Sequence, residues 1–220
     1  MTMNQIICGE ATRILSTFRP QSIDLVITDP PYLVRYRDRD GRTLANDDSP
    51  EAVLSVYAEL YRVLKPNSYC ISFYGWNAIA EFSEAWKNAG FKTVGHIVWT
   101  KPYASRASHT RYHHESAFIL AKGFPQKPED PMSDIQPWAY SGNKLHPTEK
   151  AVSVIEPLVQ HFSKPGDIVL DPFSGAGSTS VAAKRNHRCS VGIELEAAYC
   201  EIARKRLAGV GSIPKSAKAG

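Results

Sequence analysis

Residues 166–185 of the chain read GDIVLDPFSGAGSTSVAAKR, and this stretch decides the fold. The apolar run IVL is typical of a short buried strand, and it ends in Asp171. Gly175 and Gly177 follow; they carry no side chain where backbone must approach a ligand, and a helical pattern begins at Ser178. Because the free N–H groups at the start of a helix attract such a ligand, this strand, turn and helix predict a site for a nucleotide-like molecule.

Short β-rich runs alternate with helical patterns along the whole chain. The seven predicted strands lie near residues 5–8, 23–28, 69–73, 91–100, 116–121, 167–170 and 189–193. The predicted helices cover residues 51–64, 76–89, 150–162, 178–186 and 197–208. This alternation predicts an α/β domain whose sheet is mostly parallel.

The composition is typical of one globular domain with a sizeable core. The 220 residues are 43% hydrophobic, and a chain of this length is expected to form a single domain. The formal net charge of +4 is compatible with an anionic partner. No apolar run approaches the roughly 20 residues that cross a bilayer, and the first residues do not resemble a signal peptide, so we expect a cytoplasmic protein.

The strand predicted at residues 23–28 ends in the tetrapeptide DPPY, residues 29–32. An acid, two prolines and a tyrosine continue no regular secondary structure, so they form either a turn that ends the strand or a site with a chemical purpose. The strand predicted at residues 189–193 is followed by Glu194. This acid lies roughly 20 residues beyond the glycine turn, where nucleotide-binding folds place the acid that binds ribose.

The tetrapeptide DPPY, the HPTEK segment at residues 146–150, DPFSGAGST at 171–179 and GIE at 192–194 resemble, in this order, the motifs of amino-group DNA methyltransferases that use S-adenosylmethionine. The resemblance covers nearly the whole chain, and the catalytic motif precedes the cofactor turn as in the beta class. It implies an α/β, Rossmann-like methyltransferase fold that is circularly permuted, with a mixed seven-stranded sheet containing one antiparallel strand.

The resemblance also implies how the chain is organised. Residues 1–208 are expected to form a single methyltransferase domain, with a catalytic-motif half at 1–122, a short target-recognition segment at 123–145 and a cofactor-binding half at 146–208. We expect residues 209–220 to be a disordered tail. The implied partner is DNA, double- or single-stranded, while a homodimer and a cognate restriction enzyme are both open.

In this family the DPPY residues are catalytic, and the remaining motifs bind S-adenosylmethionine. Carried over residue by residue, the catalytic set is Asp29, Pro30, Pro31 and Tyr32. The cofactor-binding set is Gly9, Glu10, His146, Thr148, Lys150, Asp171, Phe173, Ser174, Gly175, Gly177, Ser178, Thr179 and Glu194. Glu10 departs from the family, which commonly has aspartate after this glycine.

The DPPY residues suit methylation of an exocyclic amino group, which is a poor nucleophile because its lone pair is delocalised into the base. The Asp29 carboxylate and the Pro30 carbonyl would accept its N–H groups and stabilise the positive charge that develops as the methyl group arrives. Tyr32 offers a flat face on which a base turned out of the duplex stacks, worth about 1–3 kcal/mol. This chemistry needs no metal ion and no covalent nucleophile.

Two charged loops are candidates for binding phosphates near the target base. The DNA-contact candidates in them are Arg35, Arg37, Arg39, Arg42, Lys101, Arg106, His109 and Arg111. The segment before HPTEK is small for reading many base pairs, which predicts a short or relaxed recognition sequence and acceptance of single strands. Trp138 and Tyr140 are the candidate stacking residues of that segment.

Three other functions are weighed against adenine methylation. Methylation of cytosine N4 uses nearly the same chemistry, but enzymes of that type more often carry serine where Asp29 stands. Intact Asp29 and Glu194 argue against a catalytically silent nucleic-acid-binding protein, and the order of the motifs argues against RNA methylation. A metal site is not expected, because the adjacent His113 and His114 would point to opposite faces of a strand.

Overall fold

The structure is a computed structural model that describes residues 3–33, 49–104 and 109–211. These ranges contain eight strands and seven α-helices. The strands are β1 Gln5–Cys8, β2 Ile23–Thr28, β3 Leu64–Phe73, β4 Lys92–Thr100, β5 His114–Lys122, β6 Ile135–Pro137, β7 Ile168–Asp171 and β8 Cys189–Glu194. The helices are α1 Ala11–Leu15, α2 Pro50–Leu54, α3 Val56–Val63, α4 Ile79–Ala89, α5 Val152–Phe162, α6 Ser178–Arg185 and α7 Ala197–Gly209, with a short 3-10 helix at Trp76–Ala78.

The eight strands form one sheet in the order β1-β8-β7-β2-β3-β5-β4-β6. Among these strands only β5 runs antiparallel to its neighbours, which confirms the predicted mixed sheet with one antiparallel strand. The predicted number of strands, seven, is wrong because β6 was not expected. This strand has three residues and ends in Pro137, and it pairs with β4 at the edge of the sheet, where a residue without an N–H group is tolerated.

The two strands that precede the predicted motifs are neighbours in the middle of the sheet. Leu25 of β2 pairs with Val169 of β7, and Val26 pairs with Leu170. From β2 the chain continues to β3 on one side, whereas from β7 it continues to β8 on the other side. Ligands of open α/β sheets bind at the carboxyl ends of the strands where the order reverses in this way. The fold therefore brings the two motifs together at one edge.

Two apolar cores cover the two faces of the sheet, and β2 contributes to both. Val26 packs with Tyr57 of α3 and Trp86 of α4, whereas its neighbours Leu25 and Ile27 pack into the core on the opposite face. The alternation arises because successive side chains of a strand point to opposite faces. With both faces covered, the carboxyl edge of the sheet is where polar residues of the motifs can meet a ligand.

Several predicted boundaries differ from those observed. The helix predicted at residues 51–64 is two helices, α2 and α3, interrupted at Ser55, and the strand predicted at 69–73 already begins at Leu64. The tail predicted from Gly209 starts too early, because this residue ends α7, while residues 212–220 lie outside the described ranges. Local sequence preferences are weak at such ends, and contacts with the sheet decide them.

None of the helices in the described ranges is long and apolar enough to cross a membrane. Within the same ranges, no group of three or more histidine, cysteine, aspartate or glutamate side chains could hold a metal ion.

Candidate active site

A polar cluster around Asp29 lies at the carboxyl end of β2. Tyr32 donates its hydroxyl hydrogen to Asp29 Oδ1 over 2.8 Å. The ammonium group of Lys150 donates to Asp29 Oδ2, and its Nζ lies 3.2 Å from the Tyr32 hydroxyl oxygen. Lys150 is 8% exposed, and its Nζ lies 4.4 Å from the ring centre of Phe73, at the end of β3. The carboxylate of Asp29 is thus held through both of its oxygens.

Tyr32 is a neutral hydrogen-bond donor in this cluster. Burial, together with the adjacent Asp29 carboxylate, raises the pKa of Tyr32 well above its ordinary value, so the phenol stays protonated at neutral pH. The backbone of Tyr32 approaches Gly75 closely: a Cβ atom there would lie 2.7 Å from the Tyr32 carbonyl oxygen. The sequence offers one signal for Gly75, a glycine two residues after a strand, but that signal alone predicts no contact with Tyr32.

The glycine turn after β7 is fixed by β8 and α7. Gly175 N–H donates to Glu194 Oε2 over 2.8 Å. Gly177 has a φ angle of +83°, and a Cβ atom there would lie 2.9 Å from the Cβ atom of Ala203. Both the left-handed backbone and the close packing therefore require glycine at this position. The turn leads directly into α6, whose first N–H groups face the same edge of the sheet as Asp29.

Glu194 ends β8 and faces the glycine turn. Besides the bond from Gly175, it accepts a hydrogen bond from the Glu196 N–H at Oε1 over 2.8 Å. Burial raises the pKa of Glu194, and these N–H donors oppose the rise. A carboxylate oxygen has two lone pairs, so each oxygen can also accept a hydrogen bond from a ligand hydroxyl. Ribose binding by Glu194 stays a prediction.

The two motifs line one cavity of about 50 Å³ at the carboxyl ends of β2 and β7. Asp29 and Asp171 lie on its walls together with Gly175 and residues of the HPTEK segment. Sites for small molecules typically measure about 300–1,000 Å³, so this cavity is narrow. The HPTEK segment closes it, since the His146 ring packs against Tyr199 with ring centres 4.4 Å apart and lies over Gly175.

Arg206 of α7 connects the HPTEK segment to the glycine turn. Its Nη1 donates to the Ala176 carbonyl oxygen over 2.7 Å and lies 3.0 Å from the Glu149 carboxylate. The sequence predicts no role for this arginine, because its position in a helical pattern carries no sign of partners so distant along the chain. It stabilises the wall of the cavity without belonging to either motif.

Comparison with known proteins now identifies the family. Residues 23–205 match the family model of the N6/N4 methyltransferases, described as DNA methylase. The chain belongs to this DNA methylase family. YubD of Escherichia coli (strain K12), a methylase by name, is 50% identical over 208 residues, which cover 94% of this chain and 92% of YubD.

Solved structures place the DNA methylase among related folds. TTHA0409 from Thermus thermophilus, named as a DNA modification methylase and solved with S-adenosyl-L-methionine, has a TM-score of 0.72 at 26% identity and covers 93% of each chain. The PvuII cytosine-N4-specific DNA methyltransferase has a TM-score of 0.75 at 18% identity, over 91% of this chain and 85% of its own. The second likeness shows the fold alone, and the predicted Rossmann-like methyltransferase fold is confirmed.

Two of the residues predicted to contact DNA, Lys101 and Trp138, are partly or largely enclosed in the structure. Lys101 is 8% exposed, pairs with Glu115 and lies 5.0 Å from the ring centre of Trp138. The structure therefore encloses this ammonium group, and its phosphate contact stays a prediction that would require the pair with Glu115 to open. Trp138 itself is half-buried against a core and has Lys101 over its ring, which leaves the exposed Tyr140 as the accessible stacking residue of this segment.

The other predicted contacts of the methylase fall into two groups. His109 and Arg111 are exposed, as a phosphate contact requires, and their role stays a prediction. The remaining arginine candidates lie outside the described residues: Arg35, Arg37, Arg39, Arg42 and Arg106.

Gly9 and Glu10 lie beside the end of β8, because the Gly9 N–H donates to the Glu194 carbonyl oxygen over 2.8 Å. The Glu10 carboxylate caps α1, accepting the N–H groups of Thr12 and Arg13 over 2.8 and 2.7 Å. A cap of this kind explains an acid at position 10 without any ligand. Cofactor contact by Glu10 stays a prediction.

Asp171 should make the stability of the DNA methylase depend on pH. Asp171 is 5% exposed, and burial raises its pKa to about 7 against the opposing hydrogen bonds from Thr179 and the Phe173 N–H. The ordinary pKa of aspartate is about 3.9, so between these values the folded protein binds a proton that the unfolded chain does not. The free energy of unfolding must therefore fall as pH rises from about 4 to 7.

We expect Asp171→Asn to remove this part of the pH dependence, since asparagine does not titrate. Urea unfolding at about pH 5 and about pH 8 measures it for the wild type and the variant. Asp130→Asn, at an exposed carboxylate, is the matched control and should behave as the wild type does. An unchanged pH dependence in Asp171→Asn would contradict the prediction.

Proposed function

We propose that this DNA methyltransferase transfers the methyl group of S-adenosylmethionine to N6 of adenine in DNA. The observation that carries the proposal is the Asp29 cluster: a carboxylate held through both oxygens, beside the glycine turn of the neighbouring strand. An acceptor in that position can take an N–H of an exocyclic amino group while the methyl donor lies on the side of β7. Such fixed geometry is what lowers the barrier of a methyl transfer.

The residues around the cavity fit S-adenosylmethionine. Gly175 leaves backbone free to approach the ligand. Glu194 holds the glycine turn beside the cavity and can accept hydrogen bonds from both ribose hydroxyls. Asp171 places a carboxyl group where the positively charged part of the cofactor would lie. Bound there, the cofactor supplies a methyl group that its sulfonium has already activated. His146 and Thr148 of the HPTEK segment would cover it.

Asp29 has the central role in the proposed reaction. One oxygen accepts the Tyr32 hydroxyl and the other accepts Lys150, and the second lone pair on either oxygen can accept the target N–H. The Pro30 carbonyl is the proposed second acceptor, and the proline ring restricts the backbone that carries it. As the nitrogen gains the methyl group it becomes positive and loses one proton, which the Asp29 carboxylate is placed to accept.

We propose that Lys150 positions Asp29 and Tyr32 and does not bind the cofactor. Its ammonium group contacts both Asp29 and Tyr32, so we expect Lys150→Met to slow methyl transfer from the bound complex about 10- to 100-fold, because small displacements of reacting groups have effects of this size. The affinity for S-adenosylmethionine should change less than about twofold. Single-turnover transfer of a tritiated methyl group, together with equilibrium binding of the cofactor, separates the two effects.

The matched control is Lys144→Met, which removes an exposed lysine just before the HPTEK segment and should change neither quantity. If Lys150→Met instead lost cofactor affinity and kept its rate from the bound complex, Lys150 would belong to the cofactor-binding set that the resemblance implies.

Adenine is proposed over cytosine because of Asp29. Related enzymes that methylate cytosine N4 more often carry serine at this position, while the two acceptors would fit either amino group. Cytosine N4 is therefore the second candidate. The small segment at residues 123–145 supports a short or relaxed recognition sequence, and methylome sequencing that found one long, strictly required site would contradict that part of the proposal.

The proposed function is tested by incubating the protein with tritiated S-adenosylmethionine and unmethylated DNA, both duplex and single-stranded. Mass spectrometry of the digested nucleosides then identifies the modified base. We expect N6-methyladenine. N4-methylcytosine would keep the mechanism and overturn the base, whereas methylation of RNA of the same sequence and not of DNA would overturn the substrate.

A further inference from the structure

Exposed aromatic side chains gather at the edge of the sheet that carries Asp29. Trp76 follows β3 and is 61% exposed, Tyr103 follows β4 and is 39% exposed, and Tyr140 follows β6 and is 63% exposed. Tyr112 precedes the antiparallel strand β5, which brings it to the same edge. Single exposed hydrophobic residues are ordinary on protein surfaces, but a group of large aromatic rings at one edge indicates a binding surface.

The four rings form two pairs. Trp76 and Tyr112 have ring centres 5.9 Å apart, and Tyr103 and Tyr140 have ring centres 6.1 Å apart. We call them the tryptophan pair and the tyrosine pair. Each pair has at least one largely exposed ring that a flat ring of a ligand can contact, and none of the four side chains belongs to a core cluster.

Each pair is connected to a different residue of the Asp29 cluster. The tryptophan pair begins directly after Gly75, which packs on the backbone of Tyr32. The tyrosine pair is connected through Tyr140, whose backbone forms an antiparallel bridge with that of Lys150. Both pairs are therefore continuous with the proposed site of the target base, and a nucleic acid held at Asp29 passes close to them.

The charge of this edge suits a polyanion. The segment at residues 109–114 carries exposed His109, Arg111, His113 and His114 and contains no acid. The next residue, Glu115, is paired with Lys101 and so presents no free negative charge. An exposed arginine and exposed imidazole N–H donors beside exposed aromatic rings suit the phosphates and the bases of an unpaired strand.

We propose that the tryptophan pair and the tyrosine pair bind the unpaired nucleotides next to the target base, so that the enzyme takes single-stranded DNA. Bases in a duplex cover each other's faces, whereas unpaired bases expose faces that stack on aromatic rings. The proposal rests on the proposed function, since Asp29 holds the target base. It extends that function by naming the form of DNA and the residues that hold the neighbouring bases.

The test measures binding without catalysis. A fluorescein-labelled oligothymidylate of about ten nucleotides, within the usual site size for single-strand binding, is titrated with the protein and followed by fluorescence anisotropy. We expect Trp76→Ala and Tyr140→Ala each to weaken binding about 5- to 150-fold, the range that corresponds to the loss of one stacked base. Trp76→Phe keeps a ring and should recover most of the affinity.

The matched control is Phe124→Ala. Phe124 is 82% exposed, but it follows the far end of β5 and its N–H donates to the Asn67 side chain near the start of β3, so it lies at the opposite edge of the sheet. Its removal should leave binding unchanged. The three truncated side chains are exposed, and circular dichroism checks that each variant folds.

The outcomes separate this proposal from the proposed function. Wild-type affinity in both Trp76→Ala and Tyr140→Ala would overturn it, and so would an equal loss of affinity for a blunt duplex of the same length. Because oligothymidylate contains no adenine, binding that depends on the two pairs would stand even if the wild type methylated another base.

Discussion

Replacing Asp29 with alanine is expected to slow methyl transfer about 10²- to 10³-fold, the usual effect of removing one group that stabilises charge in a transition state. In the proposed reaction the carboxylate accepts the target N–H and is the nearest negative charge to the nitrogen as it becomes positive. Glu194 and the glycine turn keep their mutual contacts in the variant, so the affinity for S-adenosylmethionine should change less than about threefold. Single-turnover transfer of a tritiated methyl group to DNA measures the rate.

The variant also leaves the ammonium group of Lys150 without its partner, and an unpaired buried charge destabilises a protein. The double variant Asp29→Ala/Lys150→Met removes that charge and should recover stability in thermal unfolding without recovering the rate. Asp130→Ala, at an exposed carboxylate, is the control for loss of negative charge. A rate within about tenfold of the wild type in Asp29→Ala would exclude Asp29 from the reaction.

Replacing Glu194 with glutamine is expected to weaken binding of S-adenosylmethionine by about 10²-fold. Hydrogen bonds to a charged group contribute about 1.5–3 kcal/mol, and the carboxylate has two sets of them to lose. The first set consists of the hydrogen bonds from the Gly175 and Glu196 N–H groups. Glutamine replaces one carboxylate oxygen with an NH₂ group, which is a donor and would face one of these two N–H groups. The second set is the proposed pair of bonds to the ribose hydroxyls.

Isothermal titration calorimetry with S-adenosylmethionine measures this loss. Glu196→Gln removes an exposed carboxylate two positions away and should bind as the wild type does. At saturating cofactor the Glu194→Gln variant should approach the wild-type rate, because Asp29 is untouched. Unchanged affinity would show that Glu194 orders the turn without contacting the cofactor.

The parts of the site that could be predicted from the sequence are those in which a strand ends in residues of unusual chemistry. Asp29 and the glycine turn are examples. Each follows a parallel strand, and they lie close together because the carboxyl ends of parallel strands share one edge of the sheet. The contact of Lys150 with Asp29 could not be predicted, because the two lie 121 positions apart and only the folded chain brings them together. The motif assigned this lysine to the cofactor.

Other features depend on contacts that no local pattern contains. Strand β6 has three residues, too few for a period to be visible, and exists because β4 offers it an edge. Trp138 is half-buried because it packs against a core cluster and because Lys101, which pairs with Glu115, lies over its ring. In both cases a tertiary contact overrides the local preference of the sequence.

The HPTEK segment contacts both the proposed cofactor site and the proposed site of the target base. Its first residue, His146, lies over Gly175, and its last, Lys150, contacts Asp29. In the proposed complex, a cofactor in the cavity of about 50 Å³ meets the first end of the segment, and a target base at Asp29 meets the last. We expect the segment to link the two binding equilibria. By whatever factor the cofactor changes the affinity for DNA, DNA changes the affinity for the cofactor by the same factor, so a single stretch of five residues sets the cooperativity between them.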